Sequence, residues 1–212
     1  MKRIVIILLL LVTMYNTSAC TGSRGDKSSS LGNEIEVLSP MTLSNNYLQN
    51  KTVRLKLVKG RYYEDWNPGA IMGTIWEGDF IIEVADESGK ILAESELSKF
   101  HSDEPLMFTS SFDIQFDDYN NDGDIDFTIG QYASSNGRYY KIFTIRRDGK
   151  VDELKLKGYP YLFISDSTDY YSTKLKKVDE ITFKKEHYDN SKGKTIEDYF
   201  KWNGSEFIHI DS

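Results

Sequence analysis

The residues best equipped for chemistry lie in one run, Asp118-Tyr119-Asn120-Asn121-Asp122-Gly123-Asp124-Ile125-Asp126. The pattern is D-x-N-x-D-G-x-x-D. Calcium is a hard cation that takes about six to eight oxygen ligands at roughly 2.3–2.6 Å. A short loop supplies them when acidic and amide side chains at alternate positions turn inward. Here these are Asp118, Asn120 and Asp122. Gly123 then permits a sharp bend, Asp124 lends its carbonyl, and Asp126 closes the sphere directly or through water. Three carboxylates offset the charge of the ion, and without it they repel one another. The expected role of the ion is structural, ordering a loop between two strands. The plainer alternative is an Asp/Asn-rich turn that binds nothing, because these residues favour turns by themselves. An EF-hand is excluded, since its bidentate glutamate would fall at position 12, which is Ile129.

The elements around the loop must hold it in place, and their pattern is that of strands. Phe112, Ile114 and Phe116 alternate with Asp113 and Gln115 before it, and Phe127 and Ile129 follow it. With Phe127-Thr128-Ile129-Gly130 after it, the loop resembles the calcium loops of FG-GAP and VCBS repeats, which lie between strands of integrin-type propeller blades. The likeness covers about residues 112–149. Those repeats normally occur in series and this chain carries one copy, so the resemblance implies the loop chemistry without implying a propeller. Single loops of this kind also occur in uncharacterised bacterial lipoproteins, which the whole chain resembles.

The rest of the body reads the same way. Val53, Leu55 and Leu57 alternate with Arg54 and Lys56. Residues 80–84, 91–93, 139–145, 151–156, 180–185 and 195–202 are further strand candidates. Glu87-Ser88-Gly89-Lys90, Asp148-Gly149 and Asn203-Gly204 mark turns. Helical periodicity is confined to Met41–Leu48 and Glu94–Phe100. No repeat of 20–50 residues is present. The expected fold is all-β and mostly antiparallel, a sandwich, open barrel or meander with at most short helices, occupying residues 34–212 as a single domain.

The N-terminus reads as an address. Lys2 and Arg3 precede an unbroken apolar run from Ile4 to Val12, and Thr17-Ser18-Ala19 leads to Cys20. This is the plan of a secretory signal, and the run is shorter than the ~20 apolar residues of a membrane span. The small residues before Cys20 resemble a lipobox, although that family usually has leucine where Thr17 stands. The resemblance implies cleavage after Ala19 and lipid on the Cys20 thiol. It also implies a chain anchored to a cell membrane and facing away from the cytoplasm, on the outer membrane if the host has two. Residues 1–19 are then the signal peptide, and 20–33 a lipidated cysteine with a small, polar, glycine/serine-rich tether. A plain secretory signal with an incidental cysteine is the alternative.

Composition narrows the function. The formal charge is −7. Removing Lys2 and Arg3 from the 26 basic residues leaves 24 against 33 acidic. Such a surface repels phosphate backbones, so nucleic acid is not an expected partner. One cysteine leaves no intramolecular disulfide. His101, His187 and His209 form no His-Glu-x-x-His motif, and no Gly-x-Ser-x-Gly or phosphate loop appears. Acidic pairs such as Asp79 and Glu83 do not define a site by themselves. Tyr62, Tyr63 and Trp66 offer amphipathic rings for a binding surface, against the alternative that they fill a β core. The expected function is a non-enzymatic, calcium-braced binding module whose partner is an envelope protein, peptide or glycan. The alternatives are an envelope hydrolase acting on glycan or peptidoglycan, and a spacer with no small ligand.

Overall fold

Alternating apolar and polar residues build fifteen strands among the described residues of the computed structural model, which are 35–37, 39–48, 50–101, 105–165 and 171–211. The expected signal peptide, Cys20 and the expected tether lie outside them. The strands are β1 Ile35–Glu36, β2 Met41–Leu48, β3 Lys51–Asp65, β4 Gly73–Asp86, β5 Ile91–Glu96, β6 Leu106–Phe108, β7 Phe116–Asp117, β8 Ile125–Ser134, β9 Gly137–Ile145, β10 Val151–Leu154, β11 Leu162–Ile164, β12 Lys176–Lys177, β13 Thr182–Asp189, β14 Lys194–Trp202 and β15 Phe207–Ile210. Every strand pair is antiparallel. A single turn of 3₁₀ helix, Ser98–Phe100, is the helical element among these residues. The chain is therefore all-β, as its alternation predicts.

The strands form three sheets. The first is built on the long β3–β4 hairpin, with β1, β2, β5 and β6 on its flanks. The second runs β10-β9-β8-β7, with β11 also on β9. The third runs β12-β13-β14-β15. Two apolar cores join them. Val53, Leu55, Phe80 and Ile82 of the first sheet meet Phe127, Ile129 and Phe143 of the second. Tyr140, Ile142 and Leu162 of the second sheet meet Phe183, Phe200 and Phe207 of the third. The middle sheet is covered on both faces, so β8 and β9 are buried at consecutive positions, Asp126, Thr128, Lys141 and Thr144 included, where a half-exposed strand would bury every second one.

Two local expectations are corrected. Met41–Leu48 is a strand and not a helix. It pairs with β3 through a register shift between Thr42 and Ser44, which buries Leu43, Ser44 and Asn46. Tertiary pairing overrides a weak helical pattern. Residues 112–115 are not a strand despite their alternation. Their amides are taken by side chains: Ile114 N–H donates to Asn46 Oδ1 and Gln115 N–H to Ser172 Oγ, each at 2.9 Å. Those bonds satisfy the backbone without a ladder. The expected helix at 94–100 is half right, since β5 runs to Glu96 and only the 3₁₀ turn follows.

Candidate functional site

The Asp118–Asp126 run connects β7 to β8, and Phe116↔Phe127 and Asp117↔Asp126 pair across its base. The loop is tied by its own side chains. Gly123 N–H donates to Asp118 Oδ2 at 3.1 Å, Asp122 N–H to Asn120 Oδ1 at 3.3 Å and Asp124 N–H to Asp122 Oδ1 at 2.9 Å. The bend needs two left-handed residues, Asn121 at φ 59° and Gly123 at φ 82°. Asparagine and glycine are the residues that adopt this region at least cost. Nothing crowds Gly123, so its conformation and not space requires glycine.

Asp126 begins the buried stretch of β8 and is fully buried. Its Oδ2 accepts the Tyr119 N–H at 2.8 Å. Its Oδ1 has no partner, and neither does Oδ1 of Asp118. Burial pushes the Asp126 carboxyl up to about 7. The Tyr119 amide and the nearby Thr144 hydroxyl pull the other way without offsetting burial, and Asp122 and Asp118 add to the rise. The Thr144 hydroxyl stands opposite Asp126 on β9 without a well-aligned hydrogen bond to it. These two unpartnered carboxylate oxygens, in a loop with further oxygen donors, are of the chemical type a hard cation takes.

The outer half of the loop faces Arg146 instead. Its guanidinium lies 3.4 Å from Asp122 Oδ2, 3.2 Å from Asp124 Oδ2 and 3.1 Å from Asp152 Oδ2. Among the described residues no three of His, Cys, Asp or Glu are grouped closely enough to hold a metal on their own. The loop's capacity therefore rests on Asn120 and backbone oxygen together with its carboxylates. Asp122 must turn from Arg146 to contribute.

The aromatic residues do not form one face. Tyr63 is buried, with its hydroxyl donating to Glu77 at 2.9 Å. Burial first, and then this carboxylate, push it up to about 12. Tyr62 is half-buried and tilts against Trp76, with ring centroids 5.5 Å apart. Only Trp66 is exposed. Glu83 is likewise removed from acid–base work, since it is buried between Arg54 and Lys56. Burial raises its carboxyl, but the two cations more than offset this and hold it below its ordinary range.

Two features escape a reading by sequence motif. A cavity of about 830 Å³ opens between the β3–β4 turn and the β8–β9 end, with Met72, His101, Gln131, Arg138, Tyr139 and Tyr161 in its lining. Tyr139 and Tyr161 stack at 5.2 Å, and Arg138 lies over the Tyr171 ring. His101 Nε2 has no partner, and burial together with Lys141 lowers its imidazole to about 4. The second feature is centred on Asp198, which meets Lys185 at 2.7 Å, His187 at 3.1 Å and His209 at 3.3 Å. Lys185 and His187 share a face of β13, and Lys185 stands opposite Asp198 in the register. That alternation was the available signal, but it identifies no partner strand. No protein-family model matches the chain, and no curated protein matches it.

Proposed function

We propose that this chain is an exported lipoprotein, anchored through Cys20, whose β domain is braced by calcium and binds an envelope protein or glycan without transforming it. Support for the brace comes from one observation above all, the unpartnered Oδ1 atoms of Asp118 and Asp126 behind an oxygen-rich turn. Asp118, Asn120, Asp122 and Asp126, with the Asp124 carbonyl, would hold the ion. Bound there it supplies positive charge to a buried carboxylate and ties β7 to β8. The loop of FG-GAP and VCBS repeats remains the family likeness that motivates this reading. The cavity supports the binding role, since it combines stacked tyrosines with a cation. Its described lining holds a histidine and no carboxylate, so no observation favours the hydrolase reading.

Thermal unfolding in calcium and in chelator tests the brace. Extracellular calcium modules bind at about 10⁻⁴–10⁻³ M. At one to ten times the dissociation constant, calcium adds about 0.4–1.4 kcal/mol. For a domain of this size the midpoint then rises by roughly 1–6 °C. Asp122→Ala abolishes the rise and lowers the chelator midpoint as well, since the Asp124 N–H and Arg146 lose an acceptor. Equal losses in both media would make the loop an ordinary turn. Among the described residues no helix is long and apolar enough to cross a membrane. Fractionation tests the anchor, because Cys20→Ala releases the protein from membranes. Retention of that variant would overturn the lipid reading.

A further inference from the structure

We propose that the tip of the β3–β4 hairpin is a second membrane contact, resting in the interface of the bilayer to which Cys20 is anchored. The proposal rests on the lipid-anchor reading and extends it to the domain itself.

The tip projects beyond its sheet. The last flanking pairs are Ile35↔Tyr62 on one side and Phe108↔Trp76 on the other. Beyond them, among the described residues, Tyr63↔Ile75, Glu64↔Thr74 and Asp65↔Gly73 are paired only with each other. In a chain with 28% charged residues, the segment 66–76 carries no ionisable side chain. Trp66 is 66% exposed and Met72 57%. At the neighbouring β8–β9 end, Tyr132 and Tyr139 are also exposed and line the same cavity as Met72. Tryptophan and tyrosine are the side chains enriched at membrane–water interfaces, where an apolar ring meets a polar edge.

The direction of the chain selects a bilayer as the occupant. β1 runs antiparallel to β3, with Ile35 beside Tyr62 and Glu36 beside Arg61. The segment preceding Ile35 therefore joins the domain from the tip's end. At about 3.3 Å per residue, Tyr62 lies roughly 13 Å along the strand from Trp66 and some 36 Å from Lys51. The sequence between Cys20 and Ile35 has the composition of a flexible linker, for which a coil of this length spans about 20 Å. A lipid on Cys20 thus brings this end of the domain nearer the membrane surface than the Lys51 end.

Charge limits the depth. Glu64 and Asp65 stand at the base of the tip. Asp65 Oδ1 accepts Asn67 N–H at 2.9 Å and closes the turn. Glu64 accepts the Trp66 indole N–H at 3.0 Å. Carboxylates do not enter hydrocarbon, so only the uncharged turn beyond them reaches the boundary of the acyl chains, and the contact favours zwitterionic over anionic lipid.

The mature lipidated protein is placed in phosphatidylcholine vesicles with and without brominated acyl chains, and its tryptophan emission is compared with that of Trp66→Ser. The expected result is a blue-shifted, bromine-quenched component in the wild type, most of which is lost in the variant. An unchanged far-ultraviolet spectrum of Trp66→Ser shows that the fold is kept. Equal quenching in both proteins, or none while both float with the vesicles, overturns the membrane contact but leaves the anchor intact. Unquenched emission then points the tip at a protein partner. Absence of the wild-type protein from the vesicle fraction overturns the anchor reading and the contact with it.

Discussion

Asp126→Asn raises the thermal midpoint in chelator and removes the response to calcium. The two effects have one cause. Asparagine keeps a carbonyl oxygen for the Tyr119 N–H and replaces the unpartnered carboxylate oxygen with a neutral group. In the folded protein burial pushes the Asp126 carboxyl from 3.8 up to about 7. At pH 8 the group is ionised in both states, so folding carries the full cost of burying the charge. Three pKa units correspond to at most about 4 kcal/mol. Relaxation of the loop reduces what the variant recovers, and a gain of about 1–3 kcal/mol is expected. That is a rise of several degrees for a domain of this length. In calcium the wild type gains its brace and the variant gains nothing, so the difference between the two narrows. Calorimetry of both proteins at pH 8, in chelator and in millimolar calcium, decides the matter. A midpoint for Asp126→Asn that falls equally in both media would mean that the carboxylate is a satisfied structural acceptor and no ligand.

Much of the fold was legible in the sequence, because strand alternation is a local signal. β3 carries Val53, Leu55 and Leu57 at every second position, and β4 carries the short apolar run Phe80-Ile81-Ile82. Residues 112–115 show the limit of that signal. Their alternation is real, but Asn46 and Ser172, both more than fifty positions away, claim their amides. The turn between Asp118 and Asp126 was legible for the same local reason, since the Asp, Asn and Gly residues that close it lie within one short run. Arg146 was not. It reaches the loop because β8 and β9 pair as neighbours, and nothing in the run announces a guanidinium opposite Asp122 and Asp124. Tyr63 and Trp66 differ by three positions, yet one is buried on Glu77 and the other projects from the hairpin tip. Composition marked both as aromatic, but only the end of β3 separates them.

The pH dependence of stability in chelator carries two opposed contributions that variants separate. Asp126 has a folded value of about 7, above its ordinary 3.8. Between these values the folded state binds more protons than the unfolded, so its contribution to stability is present below about pH 4 and is lost as pH rises through 7. His101 is the reverse. Burial, with the Lys141 charge adding to it, lowers its imidazole from 6.5 to about 4. The folded state binds fewer protons across that window, and stability rises with pH from about 4 to 6.5. The two slopes nearly cancel, and the wild-type profile in chelator is expected to be almost flat between pH 4.5 and 6.5. Asp126→Asn exposes the histidine and gives a curve that climbs with pH by as much as about 3 kcal/mol. His101→Gln exposes the carboxylate and gives a curve that falls by a similar amount. Calcium opposes the fall in His101→Gln, because the ion binds the ionised carboxylate and competes with the proton for it. Urea midpoints at half-unit intervals of pH, for the three proteins in chelator and then in calcium, measure all of these slopes. Parallel profiles for the wild type and Asp126→Asn would show that the buried carboxyl does not titrate in this range. The need for a bound cation to balance its charge would then disappear.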